Sequence, residues 1–126
     1  MLWIVMADSM IRVKRAYEDP EKDDGVRVLV DRLWPRGLSK ARASVDLWLK
    51  ELAPSAALRR WFNHDPNKWR EFRRRYAREL DAKYRAIAAL RGAVRCGRVT
   101  LLFSSRHVEH NNAVALQAYL ARRRTV

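Results

Sequence analysis

Two segments of the chain alternate in the manner of strands. "IRVKRAYE" (11–18) sets Ile11 and Val13, with Arg15 or Tyr17, against basic residues, the period-two signature of a half-buried strand. "VRVLVDRL" (26–33) puts Val26, Val28 and Val30 on one face and Leu29 on the other, so both faces are filled and a central strand is predicted. "RVTLLFSS" (98–105) is apolar enough for a second central strand, with Gly97 setting its start. "VDLWLKELAP" (45–54) fits two patterns, since Val45, Leu47 and Leu49 suit a strand while Leu49 and Leu52 suit a helix. A short strand ending before Pro54 is the preferred reading.

Helical spacing occupies much of the rest. Ser39 is placed to cap a short turn, and Ser55 a short helix over "SAALRRWF" (55–62). Asp65 as N-cap and Pro66 in the first turn open a long amphipathic helix predicted to run as far as Gly92. Its stripe is Trp69, Phe72, Tyr76, Leu80, Tyr84, Ile87 and Leu90, and Glu71–Arg75, Glu79–Lys83 and Asp81–Arg85 are i,i+4 pairs elsewhere on it. "EHNNAVALQAYLARRR" (109–124) is expected to close the chain as a helix on Ala113, Leu116 and Leu120. The acidic "DPEKDDG" (19–25) reads as a turn-rich loop. Strands interleaved with helices predict an α/β fold: a single compact three-layer domain with a mostly parallel sheet and helices on both faces.

Composition narrows the function classes. A chain of 126 residues is one domain by length, expected over 10–126. Residues 1–9, "MLWIVMADS", are expected to be an extension outside the core, with Met10 as a possible start. They are too short, and too soon interrupted by Asp8, for a secretory signal or a spanning helix, so a cytoplasmic location and no membrane partner are expected. Cys96 is the only cysteine, which excludes an internal disulfide and paired CxxC metal sites. The net charge of +13 favours anionic partners, either a small anion or nonspecifically bound nucleic acid. Most of the basic residues are arginines, which suit bidentate phosphate or carboxylate contacts.

Candidate chemistry gathers at two strand exits, "DRLWPRG" (31–37) and "SSRHVEHNN" (104–112). In open α/β sheets ligands bind beyond the carboxyl ends of strands. If the two strands are parallel neighbours, Arg32 and Arg36 face Ser104, Ser105, Glu109, His110 and Asn111, and a helix start near Glu109 adds free N–H groups. That set reads as an anion receptor, with Glu109 or His110 as proton-transfer groups and His64 of "NHDP" as an alternative base. The competing structural reading makes Asp31 a cap or an ion-pair partner and Trp34 a core residue, with Pro35–Gly37 as turn chemistry. His107 and His110 straddle a loop-to-helix boundary without a further ligand at a familiar spacing, so no metal or other cofactor is expected. No GxSxG turn supports a serine nucleophile. Arg70, Arg73, Arg74 and Arg78, with Arg122–Arg124, form a basic band that reads as a solvated face or as a nucleic-acid surface. A third reading is a structural or oligomeric partner protein with an apolar patch around Trp3 and Trp48.

Taken in order, "IRVKRAYE", "DRLWPRG", "WLKELAPS", "LRRWF.HDP", "W.EF...Y..EL" and "VTLLFSS...EHNNAV.L..YL" resemble the YeaO-like family of small prokaryotic proteins of unknown function, over residues 10–122. The resemblance implies a compact three-layer α/β domain and no established activity. The family's motif positions fall on Asp31, Arg32, Trp34, Pro35, Arg36, Gly37, Lys50, Pro54, Ser55, His64, Asp65, Glu109, His110 and Asn111. Relatives often carry a tyrosine where this chain has Phe103, so no hydroxyl function at that position applies here.

Overall fold

The computed structural model describes residues 11–123; the expected extension 1–9, Met10 and Arg124 lie outside the described residues. The strands are β1 (Ile11–Arg15), β2 (Val26–Leu29), β3 (Leu47–Trp48) and β4 (Val99–Phe103). The helices are α1 (Lys40–Ala43), α2 (Ala56–Phe62), α3 (Trp69–Asp81), α4 (Tyr84–Cys96) and α5 (Asn112–Arg123). The sheet is parallel throughout in the order β1-β4-β2-β3, with Leu101 of β4 opposite Val13 on one side and Val28 on the other. The two strands with unusual exits are therefore neighbours, and the fold is the α/β domain predicted.

One sheet face carries the main core. Val28 and Val30, Val99, Leu101 and Phe103 pack there against Phe62, Phe72, Tyr76, Leu80, Ile87, Leu90 and Leu116 from α2 to α5. The other face has a smaller apolar cluster of Ala16, Leu29, Leu38, Ala43 and Leu102, with Trp34 and Trp48 against it. Its remaining half is polar. Lys14, Arg27 and Thr100 point to this side and meet Asp24, all four buried. The carboxylate of Asp24 accepts from Lys14 Nζ at 3.0 Å and Arg27 Nη1 at 2.6 Å, and its carbonyl accepts from Thr100 Oγ1 at 2.8 Å. Residues 16–25 carry the chain across this face from β1 to β2, which is why the acidic loop ends in a buried carboxylate. Gly25 closes the crossing at φ +64°, where a Cβ would stand 2.2 Å from the Arg98 carbonyl oxygen.

Several helical expectations need correction. The long helix is two helices: Ala82 and Lys83 donate to Glu79 and Leu80 in i→i−3 bonds, and Lys83 is non-helical at ψ 46°. The tightened turn re-aims α4, so Ile87 and Leu90 enter the core while Tyr84, predicted on the stripe, is 68% exposed. Gly92 does not stop the helix, which runs to Cys96 and ends at Gly97. Asp65 caps as expected, its Oδ1 accepting from Asn67 N at 2.9 Å, but the first turn over Pro66–Lys68 is a 3₁₀ turn leading into α3. The segment 45–54 holds only the two-residue β3, followed by a 3₁₀ turn at Lys50–Leu52. Ser55 caps α2 as predicted, accepting from Leu58 N at 3.1 Å.

Candidate functional site

Beyond the carboxyl ends of β2 and β4 lies a cleft of about 640 Å³, walled by the 31–36 loop, by α2 with its exit, and by the 104–112 loop. That volume lies within the range of about 300–1,000 Å³ usual for small-molecule sites.

The first wall is built stiffly. The Trp48 indole donates to the Asp31 carbonyl at 2.8 Å, and the Trp34 indole donates to the Leu38 carbonyl at 2.6 Å. The two indoles meet edge-on with centroids 5.4 Å apart. Tyr17 donates its hydroxyl to the Arg36 carbonyl at 2.8 Å, and Gly37 takes φ +77° in the turn that returns the chain to Leu38. With the backbone tied down, the side chains of Arg32 and Arg36 are left exposed at the cleft.

Asp31 joins the two strand exits. Its Oδ2 accepts from Ser104 N at 2.8 Å and Ser104 Oγ at 2.7 Å, and its Oδ1 accepts from Asn112 Nδ2 at 3.1 Å. Arg15 braces the same loop from β1, donating to the carbonyls of Ser105 at 2.9 Å and Ser104 at 3.0 Å. Ser105 Oγ accepts from His107 N at 3.0 Å. Asn111 caps α5, accepting from Val114 N at 3.0 Å and donating to the His107 carbonyl at 2.8 Å. The helix thus starts at Asn112, later than the expected start near Glu109, and the cap occupies one of its free N–H groups.

The third wall follows β3. Arg59 and Arg60 on α2 line the cleft, and α2 ends in two left-handed residues, Asn63 at φ +46° and His64 at φ +56°. This bend sets the His64 imidazole on that of His107, centroids 4.4 Å apart, while His110 packs at 4.9 Å against Trp69.

Of the residues singled out in the sequence, the cleft brings together Arg32, Arg36, His64, Ser104, Ser105, His110 and Asn111. Glu109 is exposed and is not among its lining residues. Sequence reasoning missed Arg59 and Arg60, and it gave Asp31 no place at the site. The strand-exit rule that selected two loops also selects the segment after β3, where "LRRWFNH" carries both arginines. Among the described residues Arg32, Arg36, Arg59 and Arg60 have no carboxylate or hydrogen-bond partner for their guanidinium groups, and Asp31 has no basic partner. No group of three or more His, Cys, Asp and Glu residues is placed to hold a metal ion among the described residues. Among them also, no helix is long and apolar enough to cross a membrane.

The chain is 41% identical over 116 residues to the uncharacterized protein Rv3073c of Mycobacterium tuberculosis, covering 92% of this chain and 98% of that protein. It is 37% identical over 110 residues to the uncharacterized protein YeaO of Escherichia coli, covering 87% and 96%. No solved structure matches it. Residues 10–125 match the family described as the inactive DUF488-N3 subclade, and with YeaO among its relatives the chain belongs to this YeaO-like family.

Proposed function

We propose that the chain binds a small phosphorylated or carboxylated molecule in the cleft between the exits of β2, β3 and β4, as a receptor or sensor. The observation that carries this reading is that one cleft is lined by four arginines that have no anionic partner among the described residues. Loop arginines ordinarily meet carboxylates, and unpaired guanidinium groups held together raise the local potential for an anion. Binding is favoured over catalysis by two features. The subclade is described as inactive, and the two histidines lining the cleft, His64 and His110, are packed against other rings.

The test is a calorimetric titration with inorganic phosphate at low salt. Replacing Arg32 and Arg36 together with alanine is expected to weaken binding by about tenfold or more, since each lost charge-assisted hydrogen bond is worth about 1.5–3 kcal/mol. Replacing Arg70 and Arg78 on α3, away from the cleft, is expected to leave it within about twofold. Equal affinity in both variants would refer the binding to general charge and overturn the site.

A further inference from the structure

Among the described residues the cleft holds one carboxylate beside its arginines, and that carboxylate is fixed. Asp31 receives three hydrogen bonds, from Ser104 N and Ser104 Oγ on Oδ2 and from Asn112 on Oδ1. Asn112 is itself anchored, donating also to the Val30 carbonyl at 3.0 Å. An ionised carboxylate has about four acceptor positions, so one on Oδ1 is left, on a residue that lines the cleft. Although four arginines line the same space, none pairs with Asp31. The site is therefore polarised: a rigid acceptor from the strand exit and unpaired cations from the 32–36 loop and α2.

Such a cleft orients its occupant. An anionic group is repelled from Asp31 and drawn to the arginines, so the part of the ligand that meets Asp31 has to donate a hydrogen bond. A cationic donor would suffer the field of four guanidinium groups, whereas a hydroxyl carries no charge and meets no such penalty. The cleft volume of about 640 Å³ also exceeds what a lone phosphate fills, leaving room for an organic body between the two ends.

Resting on the anion-binding reading above, we infer that the ligand is a hydroxyl-bearing phosphate ester of the polyol or sugar phosphate class, and that Asp31 is the residue that selects its hydroxyl.

The test compares glycerol 3-phosphate, n-propyl phosphate and O-phosphoethanolamine by calorimetry on the unaltered chain and on Asp31→Asn. Glycerol 3-phosphate and propyl phosphate share the anionic end and differ in the hydroxyls. Glycerol 3-phosphate is expected to bind about 10- to 100-fold tighter than propyl phosphate, the range of one hydrogen bond to a charged acceptor. Asp31→Asn is expected to reduce that difference to about twofold. The ligand series on the unaltered chain does not depend on how well the variant folds. Equal affinity for glycerol 3-phosphate and propyl phosphate there would overturn the inference and leave the anion site standing. Tightest binding of the ammonium compound would overturn the hydroxyl class, and a preference persisting in folded Asp31→Asn would overturn the role of Asp31. Failure of all three, and of inorganic phosphate, would overturn both readings together.

Discussion

Asp24 is fully buried and still ionised. Burial alone would push its carboxyl upward, but the Glu21 N–H, the Lys14 ammonium and the Arg27 guanidinium together hold it below the ordinary 3.8. Burial likewise pulls Lys14 down, and Glu21 and Asp24 outweigh it, holding the ammonium above 10.5. The two shifts act at opposite ends of the pH scale. A carboxyl depressed in the folded state stabilises the fold above pH 3.8 and loses that effect as pH falls through its lower folded value. An ammonium raised in the folded state stabilises below pH 10.5 and loses that effect as pH rises through its higher one. Asp24→Ala leaves Arg27 and Lys14 buried beside a missing charge and is expected to cost about 3–5 kcal/mol at pH 7. Urea denaturation across pH checks this: the gap between the natural chain and the variant should shrink below pH 3.8, and a gap unchanged in acid would refute it. The sequence shows Lys14 and Arg27 as polar positions of strands facing away from the valines. It does not show that residues 16–25 return over that face, because the crossing is set by the β1-β4-β2 order and not by local pattern.

At the scale of elements, periodicity was a sound guide wherever one face was buried and the other wet. β1 and the stripe of α3 were legible for that reason, whereas β2 and β4, buried on both faces, were legible as short apolar runs. The break between α3 and α4 was not, since Ala82 and Lys83 carry no proline or glycine and the helical pattern continues through them. Contacts from outside the segment hold both sides of the break: Lys83 Nζ donates to the Ala53 carbonyl at 3.2 Å, and Tyr119 donates its hydroxyl to Asp81 at 2.7 Å. Tyr84→Ala is therefore expected to change stability by no more than about 0.5 kcal/mol, as for an exposed residue, whereas a place on the buried stripe would cost several times that. Ser55 shows a second link that sequence cannot give. Besides capping α2, it binds Glu79 of α3 through both its N–H at 2.8 Å and its hydroxyl at 2.6 Å. Ser55→Ala removes the cap and one of those bonds, for an expected loss of about 1–2 kcal/mol in thermal or urea unfolding. Because α2 also carries Arg59 and Arg60, the same variant should weaken phosphate binding if loosening α2 loosens that wall of the cleft.

At the scale of the molecule, the +13 charge and the cleft make separable demands on anions. The candidate site was legible as two strand exits because turn-breaking, polar sequence follows each apolar run. The third wall became visible only once β3 was placed beside β2. The basic band read from "WREFRRRYAR" is less open than its spacing suggests: Glu71, besides its expected partner Arg75, engages Arg74 of the band, the two arginines holding its carboxyl down at about 2, and Arg73 is half-buried beside Trp69. Long polyanions respond to summed charge and release counterions, so their binding falls steeply with salt. A small ligand in the cleft responds to four particular arginines. Arg32→Gln with Arg36→Gln lowers the net charge by only two, and a DNA duplex should therefore bind that variant within about twofold of the natural chain at low salt, with a similar salt slope. The same variant should lose most of its phosphate binding. Gel-shift titrations over salt, run beside phosphate calorimetry, separate the two behaviours. If DNA binding collapses with the cleft arginines while phosphate binding persists, the cleft is a nucleic-acid contact and the small-anion reading is wrong.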